Sequence, residues 1–269
     1  MKKLFVVLFT LLLVLAGCSK QEPEEDVFVV GTECNSSPLN YQLAEPTDTS
    51  IQIEGGYADG YDMMIARDIA NAIGKKLVVK KVSWEGLIPA LQNGEIDAII
   101  ADMTATDERE QSVDFTTPYW QENGLVVVVK KGSDCEKFTD VSQFKGYTLV
   151  AHMNSVHDQA IDEIEGVIHG TPKLVVSELP MVVQNGDADG TVVSATEGEA
   201  IVAANSDLVM VTFAPGHGFS MENSVSVALP EGSRGSDLFN KVQAAIDNID
   251  QATREKYMED AKAKAPSEE

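Results

Sequence analysis

The chain has 269 residues, with 20 lysines and arginines against 43 aspartates and glutamates, and a formal net charge of -23 at pH 7. This acidity argues against nucleic acid or an anionic membrane surface as a partner, because both are negatively charged. The length suits two modest domains or one large one. Three cysteines and four histidines occur without metal-ligand spacing, so we expect no metal site and no cofactor.

The first predicted element is an export signal. Two lysines precede an apolar run over residues 4–16, which is too short to span a bilayer comfortably. The sequence LAGC at residues 15–18 resembles the bacterial lipobox, so we expect diacylation of Cys18 and removal of residues 1–17. An ordinary signal with a chance cysteine is the alternative. Polar and acidic residues 18–26 then predict a flexible tether.

Strand-like and helix-like segments alternate through the rest of the chain, which predicts an α/β architecture. Apolar residues recur at helical spacing over 65–73, and Gly74 ends that predicted helix. A second amphipathic helix is predicted over 239–249 and a charged one over 251–264. The predicted strands are residues 27–31, 77–82, 96–101, 124–130, 147–152, 172–176, 190–194 and 207–213.

An internal repeat divides the chain into two similar lobes. LIPALQNGEIDAIIAD at residues 87–102 is matched by LPMVVQNGDADGTVVS at residues 179–194. Each copy predicts a short helix, a turn and a buried strand, and we interpret Asp97 and Asp189 as turn residues that enter the strands. Ligands of open α/β sheets bind outside the carboxyl ends of strands, so the loops after these two strands should face one cleft.

Besides Cys18, the chain contains two cysteines, which fall in different predicted lobes. A disulfide between Cys34 and Cys135 is conceivable in an exported protein, but it would restrain opening of the lobes. We therefore expect two free thiols.

Several collinear segments resemble the extracellular solute-binding proteins of family 3, the polar amino acid receptors of ABC importers. They are VGTECNSSPLNY (30–41), GGYADGYDMMIARDIANAIG (55–74), WEGLIPALQNGEIDAIIADMTATDEREQSVDFTTPY (84–119), VVVVKKGS (126–133) and FKGYTLVAHMNS (144–155). The resemblance implies a two-lobed α/β fold of the type II periplasmic-binding-protein kind, in which each lobe has a central sheet flanked by helices. Lobe 1 would comprise residues 27–119 and 224–265, lobe 2 residues 124–219, and a two-strand hinge residues 120–123 and 220–223.

The resemblance also implies a function. The protein would be a monomeric, substrate-binding lipoprotein, lipid-anchored to the cell membrane on its extracytoplasmic side. It would capture a free polar amino acid by hinge closure and deliver it to an ABC permease. Three acids around the expected cleft hint at a cationic side chain on that amino acid, such as lysine or arginine. The alternative is that these acids serve only the ligand's α-ammonium, which any amino acid carries.

The ligand carboxylate requires a cationic partner, and the resemblance assigns this role to Arg109, whose planar guanidinium can pair both carboxylate oxygens. Thr104 would add donors beside it. Ser155 and Asp158 form a Ser-x-x-Asp pattern that predicts a capping box, and free amides at that helix start would meet the same carboxylate. The alternative for Arg109 is a surface ion pair with one of three nearby acids, Asp107, Glu108 or Asp114.

The ligand ammonium requires an acid, but the family's usual aspartate is replaced here by Ser194. We favour Glu197 and Asp102 as substitutes, with Glu33 nearer the ligand side chain. Met103, next to Asp102, belongs to the same predicted ligand-binding loop. The alternative for the three acids is that they are ordinary solvated loop residues.

The ligand's carbon skeleton requires an apolar wall, and Trp84 matches the family position that provides one. Core packing is the alternative for Trp84. The usual aromatic of the first loop is missing, with Ser36 in its place, and an insertion over residues 42–55 lengthens that loop. His152 and Asn154 stand where relatives place lining residues of lobe 2, although a lone histidine also fits a structural role.

Two other functions stay open. Some proteins of this fold are cyclohexadienyl dehydratase-like enzymes that use cleft acids as general acid and base. We find no paired arrangement whose spacing demands catalysis, so we predict no catalytic residues and no enzyme activity. The third possibility is an amino acid sensor for a membrane receptor.

Overall fold

The computed structural model describes residues 26–221 and 223–266. The predicted export signal, Cys18 and most of the tether lie outside these residues, as does Glu222 in the second predicted hinge segment. Within the described ranges, no helix is both long enough and apolar enough to cross a membrane.

Strands and helices alternate as expected for an α/β protein. The strands of the described chain are β1 (Val27–Thr32), β2 (Asn35–Ser36), β3 (Asn40–Leu43), β4 (Ile51–Ile53), β5 (Gly56–Asp59), β6 (Lys76–Lys81), β7 (Ala98–Ile99), β8 (Val113–Phe115), β9 (Trp120–Gln121), β10 (Leu125–Lys130), β11 (Thr148–Val150), β12 (Ile168–His169), β13 (Gly190–Ser194), β14 (Leu208–Val211), β15 (Ser224–Val225) and β16 (Ala228–Pro230). The α-helices are α1 (Tyr61–Ile73), α2 (Trp84–Gln92), α3 (Val156–Ile161), α4 (Leu179–Asn185), α5 (Ala195–Ala204), α6 (Asp237–Asp247) and α7 (Gln251–Lys264).

Lobe 1 is built on a five-stranded sheet with the order β6-β1-β7-β16-β8. β1 pairs in parallel with β6 and β7, whereas β16 runs antiparallel between β7 and β8. Side chains alternate between the two faces of β1: Phe28 and Val30 pack with residues of α1, α6 and α7, and Val29 packs with residues of α2. Helices therefore cover both faces of this sheet.

Lobe 2 is built on a second five-stranded sheet with the order β12-β11-β13-β10-β14. The apolar run of β10 is buried on both faces: Val127 and Val129 pack toward α3, while Val126 and Val128 pack toward α4 and α5. Full burial of each such side chain contributes roughly 1.5–3 kcal/mol. This explains why β10 is predicted from a continuous apolar run.

The two lobes are joined where β9 pairs in antiparallel fashion with β15, through Gln121 opposite Ser224 and Trp120 opposite Val225. In the chain, β9 comes directly after the first segment of lobe 1, and β15 comes at the start of the last segment of lobe 1. The residue boundaries predicted for the lobes and the hinge stay predictions.

The internal repeat corresponds to equivalent structure in both lobes. Asp97 accepts a hydrogen bond of 2.7 Å from the backbone amide of Val29, and Asp189 accepts one of 2.7 Å from that of Thr148. Each aspartate therefore satisfies an amide of the neighbouring parallel strand, β1 or β11. Gly94, in the first copy, has a φ of 72°, in the left-handed region that favours glycine.

Two expectations need correction. The predicted strand over 172–176 is wrong: Lys173 forms only an isolated bridge with His152, Val176–Glu178 forms a 3-10 turn, and the edge strand is β12. The insertion over residues 42–55 is more than a lengthened loop, because it contributes to a four-stranded sheet with the order β2-β3-β5-β4.

The two cysteines of the folded region are free and buried. Cys34 packs beside Met63 and Ala58 in lobe 1, whereas Cys135 packs in the core of lobe 2. Burial raises the pKa of the Cys34 thiol to about 12 and that of Cys135 to about 11.

Candidate functional site

A cavity of about 20 Å³ lies between the two lobes. Eight of the ten predicted ligand-binding residues line it, in the segments that follow the carboxyl ends of strands in both sheets; they are Glu33, Trp84, Asp102, Thr104, Arg109, His152, Ser155 and Glu197. Met103 and Asn154 are absent from this lining, and Ser36 and His157 are additional members. The topology therefore brings together residues that are up to 164 positions apart in sequence.

Arg109 reaches from lobe 1 to the backbone of lobe 2, and the residue is half-buried. Its Nη1 atom donates to the carbonyl oxygen of Thr104 at 2.8 Å, and its Nη2 atom donates to that of Asn154 at 3.1 Å. The guanidinium carbon lies 5.1 Å from the centroid of the Trp84 ring, a cation–π arrangement. Burial lowers the pKa of Arg109 to about 10, so the group stays charged at neutral pH.

The alternative of a surface ion pair for Arg109 is not what the structure contains. Asp114 pairs with Arg234, whose Nε lies 3.3 Å from an aspartate oxygen. Among the described residues, no carboxylate forms an ion pair with Arg109. The guanidinium therefore has donors beyond the two that its carbonyl partners use.

Thr104 is buried and connects the loop after β7 to the start of β15. Its hydroxyl donates to Asn223 Oδ1 at 3.0 Å, and its carbonyl oxygen is one of the two partners of Arg109. Met103 points the other way: its side chain is 1% exposed and packs in the core with Leu87. Met103 contributes to the fold of the loop, and its role in ligand binding stays a prediction.

Ser36 lies between two acids of opposite lobes. Its hydroxyl oxygen is 2.8 Å from Asp102 Oδ2 and 2.6 Å from Glu197 Oε1. Asp102 has a φ of 54°, which is uncommon for a residue other than glycine. Burial and the negative charge of Glu197 raise the pKa of Asp102 well above its usual range.

Glu197 is held by the start of α5. Ser194 caps this helix and accepts from the Glu197 backbone amide at 3.1 Å, while Glu197 Oε2 accepts from the Ser194 amide at 3.2 Å. This capping box explains what the serine does at the position of the family's usual aspartate. His157 Nδ1 is 3.8 Å from the same glutamate oxygen.

Glu33 and His152 face each other across the cavity. Glu33 Oε1 is 3.7 Å from His152 Nε2, and the imidazole ring lies 5.4 Å from the Trp84 ring, centroid to centroid. Burial raises the pKa of Glu33 to about 7 and lowers that of His152. Glu33, Glu197 and Asp102 are therefore not ordinary solvated loop acids.

Asn154 and Ser155 shape the loop before α3. Asn154, with a φ of 57°, donates from its side-chain amide to Glu85 Oε1 of lobe 1 at 2.7 Å. Ser155 caps α3 and accepts from the Asp158 amide at 3.2 Å. The predicted capping box is only half correct, because the Asp158 carboxylate instead lies 2.9 Å from His169 Nε2.

Sequence reasoning missed two residues that support the site. Asp62, fully buried at the start of α1, accepts from the Asp102 amide at 2.9 Å and from the Tyr119 hydroxyl at 2.8 Å. His157 on α3 lies 3.3 Å from the Asn223 amide nitrogen. Nothing in the sequence separates Asp62 from an ordinary first-turn acid, whereas Ser-x-x-Glu at residues 194–197 is a signal that could have found the Glu197 cap.

Two lobes with a polar, two-sided cleft between them define a solute-binding protein of the periplasmic type. Residues 28–260 match the family model described as bacterial extracellular solute-binding proteins, family 3, and the chain belongs to this family. Its place of action is therefore extracytoplasmic.

Relatives of known name bind amino acids. The chain is 28% identical over 215 residues to a probable histidine-binding protein of Campylobacter jejuni, covering 76% of this chain and 77% of that protein. It is 25% identical over 245 residues to the arginine-binding extracellular protein ArtP of Bacillus subtilis, covering 86% and 89%. Both relatives are named as binding proteins.

Solved structures agree with the fold. The substrate-binding protein of an amino acid ABC transporter is 30% identical, with a TM-score of 0.73 and coverage of 87% of this chain and 98% of that one. An ancestral arginine-binding protein bound to arginine is 29% identical, with a TM-score of 0.73 and coverage of 88% and 98%. The fold expected from the sequence is confirmed.

Proposed function

We propose that this protein captures a free amino acid between its lobes and delivers it to a membrane permease of the ABC class. The observation that carries this proposal is that the lining of one cavity includes both a cationic group, the Arg109 guanidinium, and two acids, Asp102 and Glu197. A zwitterion removed from water needs a partner for each of its charges, and this cavity supplies both.

Arg109 is the proposed clamp for the carboxylate. A guanidinium has five N–H donors, and the two hydrogen bonds to Thr104 and Asn154 leave three for a ligand. Those two bonds also fix the plane of the group, so little conformational freedom is left to lose when a carboxylate binds. The ring of Trp84 beside it supplies the apolar wall.

Asp102 and Glu197 are the proposed partners of the ammonium, and Glu33 is placed to meet a side chain. Glu33 and Glu197 are buried and Asp102 is half-buried, so an unpaired charge on these acids is costly, which favours a cationic ligand group. Relatives are named as an arginine-binding protein and a probable histidine-binding protein, and an ancestral arginine-binding protein has been solved bound to glutamine. We therefore assign the ligand to the polar amino acids, with a cationic side chain as the first candidate.

Entry of the ligand requires the lobes to separate. The cavity in the described arrangement has room for about one water molecule, far less than an amino acid. Contacts from Ser36 to Glu197 and from Asn154 to Glu85 close it across the lobes. Rotation about the β9–β15 ladder would open these contacts, and the ligand would then select the closed form through the groups that lobe 2 adds.

The proposed setting is a lipid anchor at Cys18, a tether over residues 18–26, and a monomeric body that docks on the permease. Two or three acyl chains would hold the body at the membrane.

A thermal-shift screen of the purified protein against the twenty amino acids tests the proposal. We expect stabilisation by one or a few polar amino acids, since a ligand that binds only the folded state raises the melting temperature. Arginine, histidine and glutamine are the first to try. Shifts with sugars or peptides and none with amino acids would overturn the assignment.

A further inference from the structure

The two short contacts of the Ser36 hydroxyl require one more hydrogen at the lobe interface than the hydroxyl itself carries. Its hydroxyl oxygen is within hydrogen-bonding distance of one oxygen of Asp102, in lobe 1, and one of Glu197, in lobe 2. A serine hydroxyl carries one hydrogen, so it donates to one of these acids only. The other short contact needs a hydrogen from the acid itself.

The surroundings indicate which acid carries that hydrogen. Glu197 already accepts from the Ser194 amide, which suits a carboxylate. Asp102 is buried next to the negative charge of Glu197, and both effects raise the pKa of Asp102. The consistent order is a protonated Asp102 that donates to Ser36, whose hydroxyl donates to Glu197.

We propose that the bridge of Asp102, Ser36 and Glu197 holds one proton between the lobes, and that a cationic group of the bound amino acid takes the place of that proton, which leaves for the solvent. The charge at the bridge is then conserved, because one positive charge enters there as another departs, while the ligand carboxylate is paired separately by Arg109. This inference rests on the proposed function and adds the proton exchange to it.

Other charged groups around the bridge support the exchange. Asp62 on α1 and Glu122 after β9 are further acids near Asp102, and their ionised forms favour a proton or a cation there. Burial raises the pKa of each of these two acids to about 7, so both share protons with the solvent near neutral pH. Burial lowers the pKa of His152 and of His157, so neither imidazole supplies a positive charge at neutral pH. The remaining charged groups at the cavity are Glu33 after β1 and Arg109, which is positive and engaged by two carbonyl oxygens.

The first test needs no ligand. Carboxyl carbon NMR of the full protein, titrated with acid and base, should show Asp102 losing its proton well above its ordinary value of about 4. Glu197→Gln should move this titration downward, because it removes the neighbouring charge, whereas Glu199→Gln on the exposed face of α5 should leave it unchanged. Titration of Asp102 near its ordinary value of about 4 in the wild-type protein would overturn the proposal, whatever the variants do.

The second test measures the exchange with L-arginine. Calorimetry in buffers of different ionisation enthalpy should show release of about one proton per bound L-arginine below the Asp102 titration and none above it. The affinity should fall about tenfold per pH unit of acidification in the lower range. Asp102→Asn, which has no proton to lose, should abolish the release.

Comparing L-arginine with L-glutamine shows which cationic group of the ligand replaces the proton. The same measurements also distinguish failure of the proton exchange from failure of the proposed function. Release with both L-arginine and L-glutamine assigns the exchange to the α-ammonium, and release with L-arginine alone assigns it to the side chain. Binding of L-arginine with no proton release at any pH from about 5 to about 8 overturns the exchange and leaves the proposed function intact. If no amino acid binds, the proposed function fails, and the ligand-free titration still decides whether the bridge holds a proton.

Discussion

The Nη2 atom of Arg109 donates a hydrogen bond of 3.1 Å to the carbonyl oxygen of Asn154, so a side chain of one lobe holds the backbone of the other. Asn154 forms a second hydrogen bond between the lobes, because its side-chain amide donates to Glu85 of lobe 1 at 2.7 Å. Closure therefore orients the guanidinium that is proposed to bind the carboxylate, and ligand binding and lobe position should be linked.

Removing the guanidinium should remove most of the affinity. For Arg109→Ala and Arg109→Lys, we expect a loss of about 2–5 kcal/mol in binding free energy, because the carboxylate would be buried without its bidentate partner. Calorimetry with the amino acid found in the thermal-shift screen measures this. Arg234→Ala, which removes a half-exposed arginine paired with Asp114, is the matched control and should bind as wild type. Unchanged affinity in Arg109→Ala would end the clamp assignment.

Neutralising Glu197 should weaken binding without unfolding α5. Glutamine is also a capping-box residue, so Glu197→Gln keeps the partner of Ser194 while it removes the charge. We expect at least about a tenfold loss of affinity, or about 1.4 kcal/mol, with a melting temperature close to that of wild type. Glu199→Gln, two residues further along α5 and exposed, should change neither the affinity nor the melting temperature. An equal loss in both variants would point to a general effect of charge.

Trp84 should report ligand binding by its fluorescence. The chain has two tryptophans, and Trp84 lies at the cavity while Trp120 packs on Tyr61 near the lobe junction. We expect Trp84→Phe to lose most of the ligand-dependent change in emission and Trp120→Phe to keep it. Trp84→Ala should cost about 1–2 kcal/mol of binding free energy through lost contact with the ligand and with Arg109. A full signal in Trp84→Phe would contradict this position for the ligand.

Glu122 should make stability depend on pH. Burial raises its pKa from 4.5 to about 7, although it accepts from the Thr196 hydroxyl at 2.8 Å. The folded state therefore binds the proton more tightly than the unfolded state. As pH rises from about 4.5 to about 7, the free energy of unfolding should lose roughly 2–3 kcal/mol of this contribution. Urea unfolding at several pH values should show a smaller decline for Glu122→Gln, with exposed Glu259→Gln as the control. If the free energy of unfolding fell equally with pH in Glu122→Gln and in the wild-type protein, Glu122 would not be the source of the pH dependence.

Periodicity was enough to predict the elements that are buried on one or two faces. The apolar run of β10 and the helical spacing before Gly74 correspond to real elements because burial imposes those patterns. The strands of the 35–59 region were missed because they are short and mostly polar. The false strand at 172–176 has the right composition, but Lys173 meets a single bridge partner and the chain turns at Val176.

Candidate site residues could be predicted where the resemblance assigns a position to them. They could not be predicted where long-range contacts in the folded chain bring them together. The resemblance assigns Arg109 and Trp84 to the site, and the structure brings these two side chains into contact, while their roles in ligand binding stay predictions. The bridge through Ser36 joins residues 161 positions apart, so no local pattern could indicate it. Asp62 was missed for the same reason, because its partners Tyr119 and Asn40 lie in distant segments.

The position of β16 has a consequence for how the protein is made. This strand lies between β7 and β8, although it follows the whole of lobe 2 in the chain. The sheet of lobe 1 therefore cannot be completed until residues 228–230 have been synthesised, because they form the strand that pairs with Ile99 and Phe115. The strands of the lobe 2 sheet all come from one continuous segment of the chain, residues 125–211. Lobe 2 can therefore complete its sheet before lobe 1 does, although lobe 2 begins later in the sequence.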